Sequence, residues 1–343
     1  MPSRNFEFTA AVYYKASSLP PEVFAAFEQN PVTFNCILPH ILKCLKLEEH
    51  GRVVDGQCWI VVTTSNPEPR VDFVLSCTEN EMGKYPIFIA STSPPPSLSD
   101  DFVHPRLHLI VEHLLDVVDL HRVYSVFAPD AVAYWFARLW TEQTGIRWYN
   151  NPYYAAKLSV CCSETFKYRS VTISPGLQHI LRAADEHDLH AVAQLCYKFA
   201  QESEPFILDE QGALDEAAIL IRNRTVWIHE VQQHNNAPIV ASLVAFTRNS
   251  ATVSTITKVY TNPDARGMGC AQRLVRRVCK HLFSTERKEK VALYVAHNNL
   301  AASKVYHRVG FIGLDPENST PSPEVESWTE IGFDRAAVEL GHW

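Results

Sequence analysis

The stretch YTNPDARGMGCAQRLV, residues 260–275, decides how this chain is read. It leaves an apolar, β-branched run, passes a proline and two glycines, and enters an apolar-periodic segment, the pattern of a strand handing over to a helix through a bare glycine turn. Two phosphate-binding patterns drop out at once. No Gly-Lys-Ser/Thr follows, as a P-loop requires, and Gln272 stands where the dinucleotide fingerprint needs its third glycine. What remains is a strand ending at Thr261, a loop carrying Arg266, Gly267, Met268 and Gly269, and a helix beginning near Gly269, with Cys270 and Ala271 next in line. Backbone N–H groups at such a start, unshielded by side chains, can cradle a pyrophosphate, with Arg266 adding charge. The same glycines would equally serve a plain strand-to-helix bend, so the turn needs a second witness.

Composition bounds what that witness can be. The chain has 343 residues, a length that suits two domains, with 46% apolar and 20% charged residues, as in ordinary globular proteins. A net charge of −7 argues against a nucleic-acid or anionic-membrane surface as its main business. The start, MPSRNFEFTAAVYY, has no uninterrupted apolar segment, and nowhere do 18 apolar residues run together, so the expectation is a soluble, cytoplasmic protein; its oligomeric state is left open, a monomer being plausible. The nine cysteines lie mostly in apolar runs without a C-x-x-C pair, which reads as reduced core thiols and gives no metal centre.

Around the turn, the second half reads as a regular series. HILRAADEHDLHAVAQLCYKFAQE (179–202) predicts a short strand and an amphipathic helix, and ALDEAAILIRNR (213–224) a second helix. Three β-branched runs follow, 225–231, 238–247 and 251–261, joined by connections short enough for antiparallel pairing. After the glycine turn come a helix to about 283, a strand over 291–297, a helix over 299–310, and a final strand pair near FIGL and SWTEIGF.

The second witness is HNNLAASKVYHRVGF, residues 297–311, where Asn299, Ala302 and Tyr306 fall on one helical face ahead of Gly310 and Phe311. With these two segments the chain resembles the GNAT superfamily of acyl-CoA N-acyltransferases. The family's Arg/Gln-x-x-Gly-x-Gly/Ala motif is matched by Arg266, Gly269 and Ala271, and its Asn-x-x-Ala-x-x-x-Tyr-x-x-x-Gly-Phe pattern by residues 299–311. More narrowly, VYTNPDARGMGCA resembles the signature of a group of two-part GNAT proteins, from which Asn262 and Cys270 depart. The resemblance covers about residues 178–315.

The first half repeats the element order. Strands are expected over 58–64, 70–77 and 85–92, then a helix around 100–118, a strand over 122–128, a helix over 130–144 and a strand over 153–161. At the place of the glycine turn, however, stands STSPPPSLSDD (91–101), whose prolines lack N–H groups and which holds neither glycine nor arginine. Nor is there a tyrosine at the spacing of Tyr306, where Ala137 falls. The expectation is an α/β (α+β) protein of tandem GNAT folds, with mixed, mostly antiparallel sheet flanked by helices. Residues 1–165 would form a degenerate GNAT-like domain and 178–343 the acyl-CoA domain, with a linker near 163–178.

The resemblance also implies a chemistry. Acetyl-CoA, or another short acyl-CoA, would lie with its pyrophosphate on Arg266 to Ala271 and its pantetheine arm along the strand ending in Val259, Tyr260 and Thr261. A backbone N–H near Val259 or Tyr260 would then face the thioester oxygen, Asn299 would border the cofactor, and Tyr306 would protonate the departing thiolate. Many family members carry a glutamate base on this strand, and the corresponding register here gives Thr255, whose hydroxyl cannot take a proton at neutral pH. His297 is a candidate, histidine being the side chain that ordinarily titrates nearest neutrality, while His229 and Glu230 alternate faces, so only one could enter a cleft. Glu202, Glu204, Asp209 and Glu210 around Phe206 would suit a cationic amine, or form a solvated acidic loop. Arg273, Arg276, Arg277 and Lys280 could meet a 3′-phosphate at one or two positions. The expected function is acyl transfer to the amine of a small molecule. The alternatives are a binding protein whose chemistry has lapsed, and acylation of a protein lysine or N-terminus.

Overall fold

A computed structural model describes residues 8–65, 68–168, 176–233, 237–315 and 325–342. In chain order the elements begin with β1 (Phe8–Tyr13), α1 (Pro21–Gln29), α2 (Leu38–Glu49), β2 (Cys58–Thr64), β3 (Arg70–Cys77), β4 (Ile87–Ser91), α3 (Asp100–Val117), β5 (Ser125–Pro129) and α4 (Asp130–Thr144). Next come β6 (Tyr154–Cys162), β7 (Leu177–Ala183), α5 (Leu189–Gln201), α6 (Glu210–Arg222), β8 (Val226–Gln233) and β9 (Ile239–Ala245). The series closes with β10 (Val253–Ile256), β11 (Lys258–Thr261), α7 (Cys270–Ser284), β12 (Lys290–Ala296), α8 (Leu300–Val309) and β13 (Glu326–Gly332). Two-residue strands are left unlabelled. Among the described residues no helix is long and apolar enough to cross a membrane.

The chain divides into two compact units, one of residues 1–156 with 326–343, the other of 157–325. In the first, β1, β2, β3 and β4 pair antiparallel in order, β4 and β5 pair parallel, and β13 closes antiparallel on β5. Strands β2 to β5 are buried almost throughout, as their continuous apolar, β-branched runs require, and α3 and α4 cover them with Leu107, Ile110, Leu114, Phe136 and Trp140. Helix α4 stops at Gly145, whose φ of 76° supplies the left-handed residue that ends many helices. The β1 strand and helices α1 and α2 were absent from the sequence reading, although Pro21 at the first helical position and buried Val23, Ala26 and Phe27 carry the usual start signal and spacing.

In the second unit β7, β8, β9 and β11 form an antiparallel sheet, while β10 pairs parallel with β12. Helices α5 and α6 pack on one side through Val192, Leu195, Cys196 and Ala217. Helix α7 packs on the other through Leu274, Val275, Val278 and Leu282. The units do not follow the expected boundaries at 165 and 178. Residues 157–165 belong to the second unit, and the last strand, expected to pair beside FIGL at the end of a 178–343 domain, lies in the first, where Thr329 faces Ala128 and Ile331 faces Val126. Alternation of apolar residues identifies a strand but not its neighbour. FIGL itself forms a turn. Of the linker expected over 163–178, residues 169–175 lie outside the described residues.

Candidate active site

The run 251–261, read from sequence as one strand, is broken at Thr257. Val253 to Ile256 pair with Lys290 to Leu293 of β12, whereas Lys258 to Thr261 pair with β9. Thr257 N–H donates to Ala245 O (2.9 Å), and Lys258 also lies opposite Ala245, so two residues face one, the count of a β-bulge. Pairing with β12 ends at Ile256 and Leu293, and β11 is the edge strand of its sheet. The strands therefore part here and leave the β11 edge open. Asn262 N–H donates to Ala241 O (2.9 Å), and counting back by twos through the ladder turns the N–H of Tyr260 toward β9 and those of Val259 and Thr261 toward the open edge.

The bulge also sorts side chains between the two faces. Ile256 and Val259 pack with Leu274, Val278 and Tyr306 on the α7 and α8 side. Lys258 and Tyr260 turn to α5 and α6. Lys258 Nζ meets Glu216 at 2.5 Å over the Phe199 ring, and the Tyr260 hydroxyl donates to Glu202 Oε1 at 2.9 Å. Burial, then the bond to Glu202, raises the Tyr260 pKa.

Beyond Thr261 the loop reaches α7 through two glycines with positive φ, Gly267 at 80° and Gly269 at 72°. A side chain on Gly267 would meet no protein atom within 4 Å, so its glycine answers to the backbone and to whatever occupies the space outside. Gly269 caps α7 without any side-chain hydrogen bond, and no acidic residue stands in the first turn. The N–H groups of Cys270 and Ala271 thus lack intrahelical acceptors and form the positive end of the helix, an arrangement that fits a pyrophosphate. By contrast α6 and α8 are capped, by Asp209 onto Gly212 N–H and by Asn299 onto Ala302 N–H (3.0 Å).

Arg266 does not reach into that cradle. Its Nη2 donates to Glu202 Oε1 and Oε2 at 3.0 and 3.2 Å, its Nε to Thr261 O at 3.3 Å, and its guanidinium sits 5.5 Å from the Tyr260 ring. Met268 is half-buried against Val231, Ala241 and Cys270, and its carbonyl accepts from Arg273 at 2.5 Å. Beneath the helix start, the Cys270 carbonyl accepts from His229 Nδ1 (3.2 Å), which leaves His229 Nε2 to accept from His179 Nδ1 (2.9 Å). Burial, above all, brings the fully enclosed His229 down to about 4. His229 is therefore a structural base of the cradle, and Glu230 is held by Arg182 at 2.5 Å.

Tyr306 is 8% exposed, in edge contact with Phe311 and within the core that includes Val295 and Leu274. His297 is exposed in the turn after β12, and Thr255 is buried on the strand before the bulge. Of the basic set on α7, Arg276 is tied to the carbonyls of Lys167 and Arg308 and Arg277 covers the Trp227 ring, while Lys280 is exposed. The sequence reading missed the Glu202–Arg266 pair and the His179–His229 chain, both built from residues far apart in sequence.

At the corresponding turn of the first unit, an open hollow of about 590 Å³ is lined by Arg70, Thr92, Ser93, Pro94 and Phe102. Space is present there. What is missing is the backbone cradle: Pro94 to Pro96 carry no N–H, Asp100 and Asp101 occupy the first turn of α3, and the Arg70 guanidinium is held by Asp72 at 2.9 Å.

Residues 186–311 match the family model described as Acetyltransferase (GNAT) family. No curated protein matches the chain. A solved Drosophila protein is 11% identical over 96% of this chain and 99% of its own, with a TM-score of 0.57. A GCN5-related N-acetyltransferase from Sphaerobacter thermophilus is 12% identical over 98% of both chains, with a TM-score of 0.53. A tandem GNAT protein from the clavulanic acid biosynthesis pathway is 11% identical over 95% of this chain and 98% of its own, with a TM-score of 0.49. Both likenesses above 0.5 run the length of the chain and so include both units, and the family model falls within the second: that unit belongs to the GNAT acetyltransferase family, and the first repeats the fold.

Proposed function

We propose that the second unit transfers an acetyl or other short acyl group from acyl-CoA to the amine of a small molecule by direct attack. The observation that carries this reading is the coincidence of an uncapped, glycine-opened helix start with the unpaired edge of β11. The N–H groups from Gly267 to Ala271 would hold the pyrophosphate, and the β11 edge would pair with the pantetheine amides. Strand alternation favours Val259 over Tyr260 as the N–H that polarises the thioester oxygen. The amine nitrogen bonds to the carbonyl carbon, the carbon–sulfur bond breaks, and the thiolate takes a proton from the Tyr306 hydroxyl. The proton leaving the amine goes to water. Nothing in the arrangement favours a protein over a small molecule as acceptor.

Incubation with acetyl-CoA and a panel of primary amines, read as release of free thiol, tests the reaction. Amine-dependent thiol release is expected. A rise in melting temperature with acyl-CoA but no thiol release with any amine would mark a binder whose chemistry has lapsed.

A further inference from the structure

Arg266 has two claims on it. As the cation of the pyrophosphate loop it should face phosphate, yet its guanidinium holds both oxygens of Glu202, at the C-terminal end of α5 where the connection to α6 begins. That connection also carries Glu204, buried Phe206 and exposed Ile207. Glu202 is thus neutralised by the residue that phosphate would compete for. Both side chains of the pair are about half exposed, 52% for Arg266 and 55% for Glu202, and pairs so exposed hold each other weakly. A phosphate offers a guanidinium the stronger, two-pronged contact. Tyr260, only 6% exposed, would go on donating its hydroxyl to Glu202 after the arginine left, so the carboxylate would keep its place.

We propose that Arg266 is exchanged between these partners: it pairs with Glu202 until acyl-CoA binds, then passes to the pyrophosphate, and the uncovered Glu202 carboxylate receives the ammonium of a cationic acceptor. The proposal rests on the cofactor reading above. It makes Glu202 a positioning residue for the acceptor and links the two substrates through one side chain, so that cofactor binding uncovers the negative charge the acceptor needs.

Calorimetric titration of CoA into wild type, Glu202→Gln, Arg266→Gln and the double variant tests the exchange. Removing the competitor should tighten CoA binding two- to fivefold in Glu202→Gln, the range an exposed pair allows. Arg266→Gln should weaken it about tenfold, and on that background Glu202→Gln should change nothing. A merely structural role for the pair would weaken CoA binding in both single variants. If wild type takes up no CoA, the cradle reading fails and the exchange with it. If CoA binds but Glu202→Gln leaves Kd unchanged or raised, the cradle stands and the exchange is overturned. For the acceptor half the probe is 1,4-diaminobutane, which should bind CoA-saturated wild type at least about threefold more tightly than the CoA-free protein, a gain lost in Glu202→Gln. Equal binding with and without CoA overturns that half.

Discussion

Helix α3 opens at Asp100 behind three prolines, with two carboxylates in its first turn. Helix α7 opens at Cys270 behind two glycines, with none. Each follows the strand that pairs parallel with the next one in its unit, or the bulged continuation of that strand, so the architecture around the two starts is shared. The difference teaches that a phosphate site is a property of a few backbone groups rather than of a fold. The hollow of about 590 Å³ in the first unit offers room, but the Pro94 to Pro96 turn beside it presents no backbone N–H, and Asp100 and Asp101 set negative charge where a phosphate would bring more.

If chemistry belongs to the second unit alone, Tyr306→Phe should abolish nearly all of it. Turnover with an amine identified by the panel is expected to fall about 10²- to 10⁴-fold while CoA affinity stays unchanged. Steady-state kinetics beside a CoA titration read both. A rate within about threefold of wild type removes the hydroxyl from the mechanism and leaves Tyr306 a packing role, which includes the edge contact with Phe311.

Breaking the better helix start should make it resemble the worse one. Gly269→Val forces a β-branched residue to a φ of 72° and crowds the approach to the Cys270 and Ala271 N–H groups, with an expected loss in CoA affinity of about 10²-fold. Full binding by a folded variant would move the cradle elsewhere.

The histidine chain sharpens the comparison from beneath the helix. His229 stays neutral in the fold down to about pH 4, held there by burial, with His179 and Arg273 adding to the effect, whereas in the unfolded chain it takes a proton near 6.5. Stability from this group is therefore complete above pH 6.5 and declines as pH falls toward 4, by roughly 3 kcal/mol. Chemical denaturation across that range should show a flatter fall in His229→Asn than in wild type, and parallel curves would contradict the assignment. The smallest effect is expected in the first unit. Asp100→Asn with Asp101→Asn removes the repulsion but restores no N–H to Pro94 to Pro96, so CoA stoichiometry should remain one per chain. A second site appearing in that variant would mean charge alone had silenced the first unit.

Much of this was legible in the sequence because it is local. Strands 58–64 and 70–77 and helix 130–144 fall where their apolar patterns put them, and the glycine turn announced an uncapped helix start. The break at Thr257 was hidden, since ITKVY stays β-branched and apolar on both sides of the bulge and only the change of partner from β12 to β9 reveals it. The partner of Arg266 was hidden for a different reason. Glu202 lies 64 residues away, and nothing local distinguishes it from Glu204. Pattern gives the face of an element, while the identity of the neighbour comes from the assembled sheet.

The last strand of the chain lies in the first unit, with Trp328 and Phe333 fully enclosed and the Gly332 backbone so close to the Tyr153 ring that a side chain there would overlap it. During synthesis, residues 1–156 therefore leave the ribosome without the strand that closes their sheet. The whole second unit is made in between, and only the final 18 residues complete the first. The half that emerges first is thus the half that finishes last, exposing Phe127 and the rest of the β5 edge to other chains in the meantime. Removing residues 326–343 would injure the first unit while leaving the proposed acyl-CoA site of the second intact.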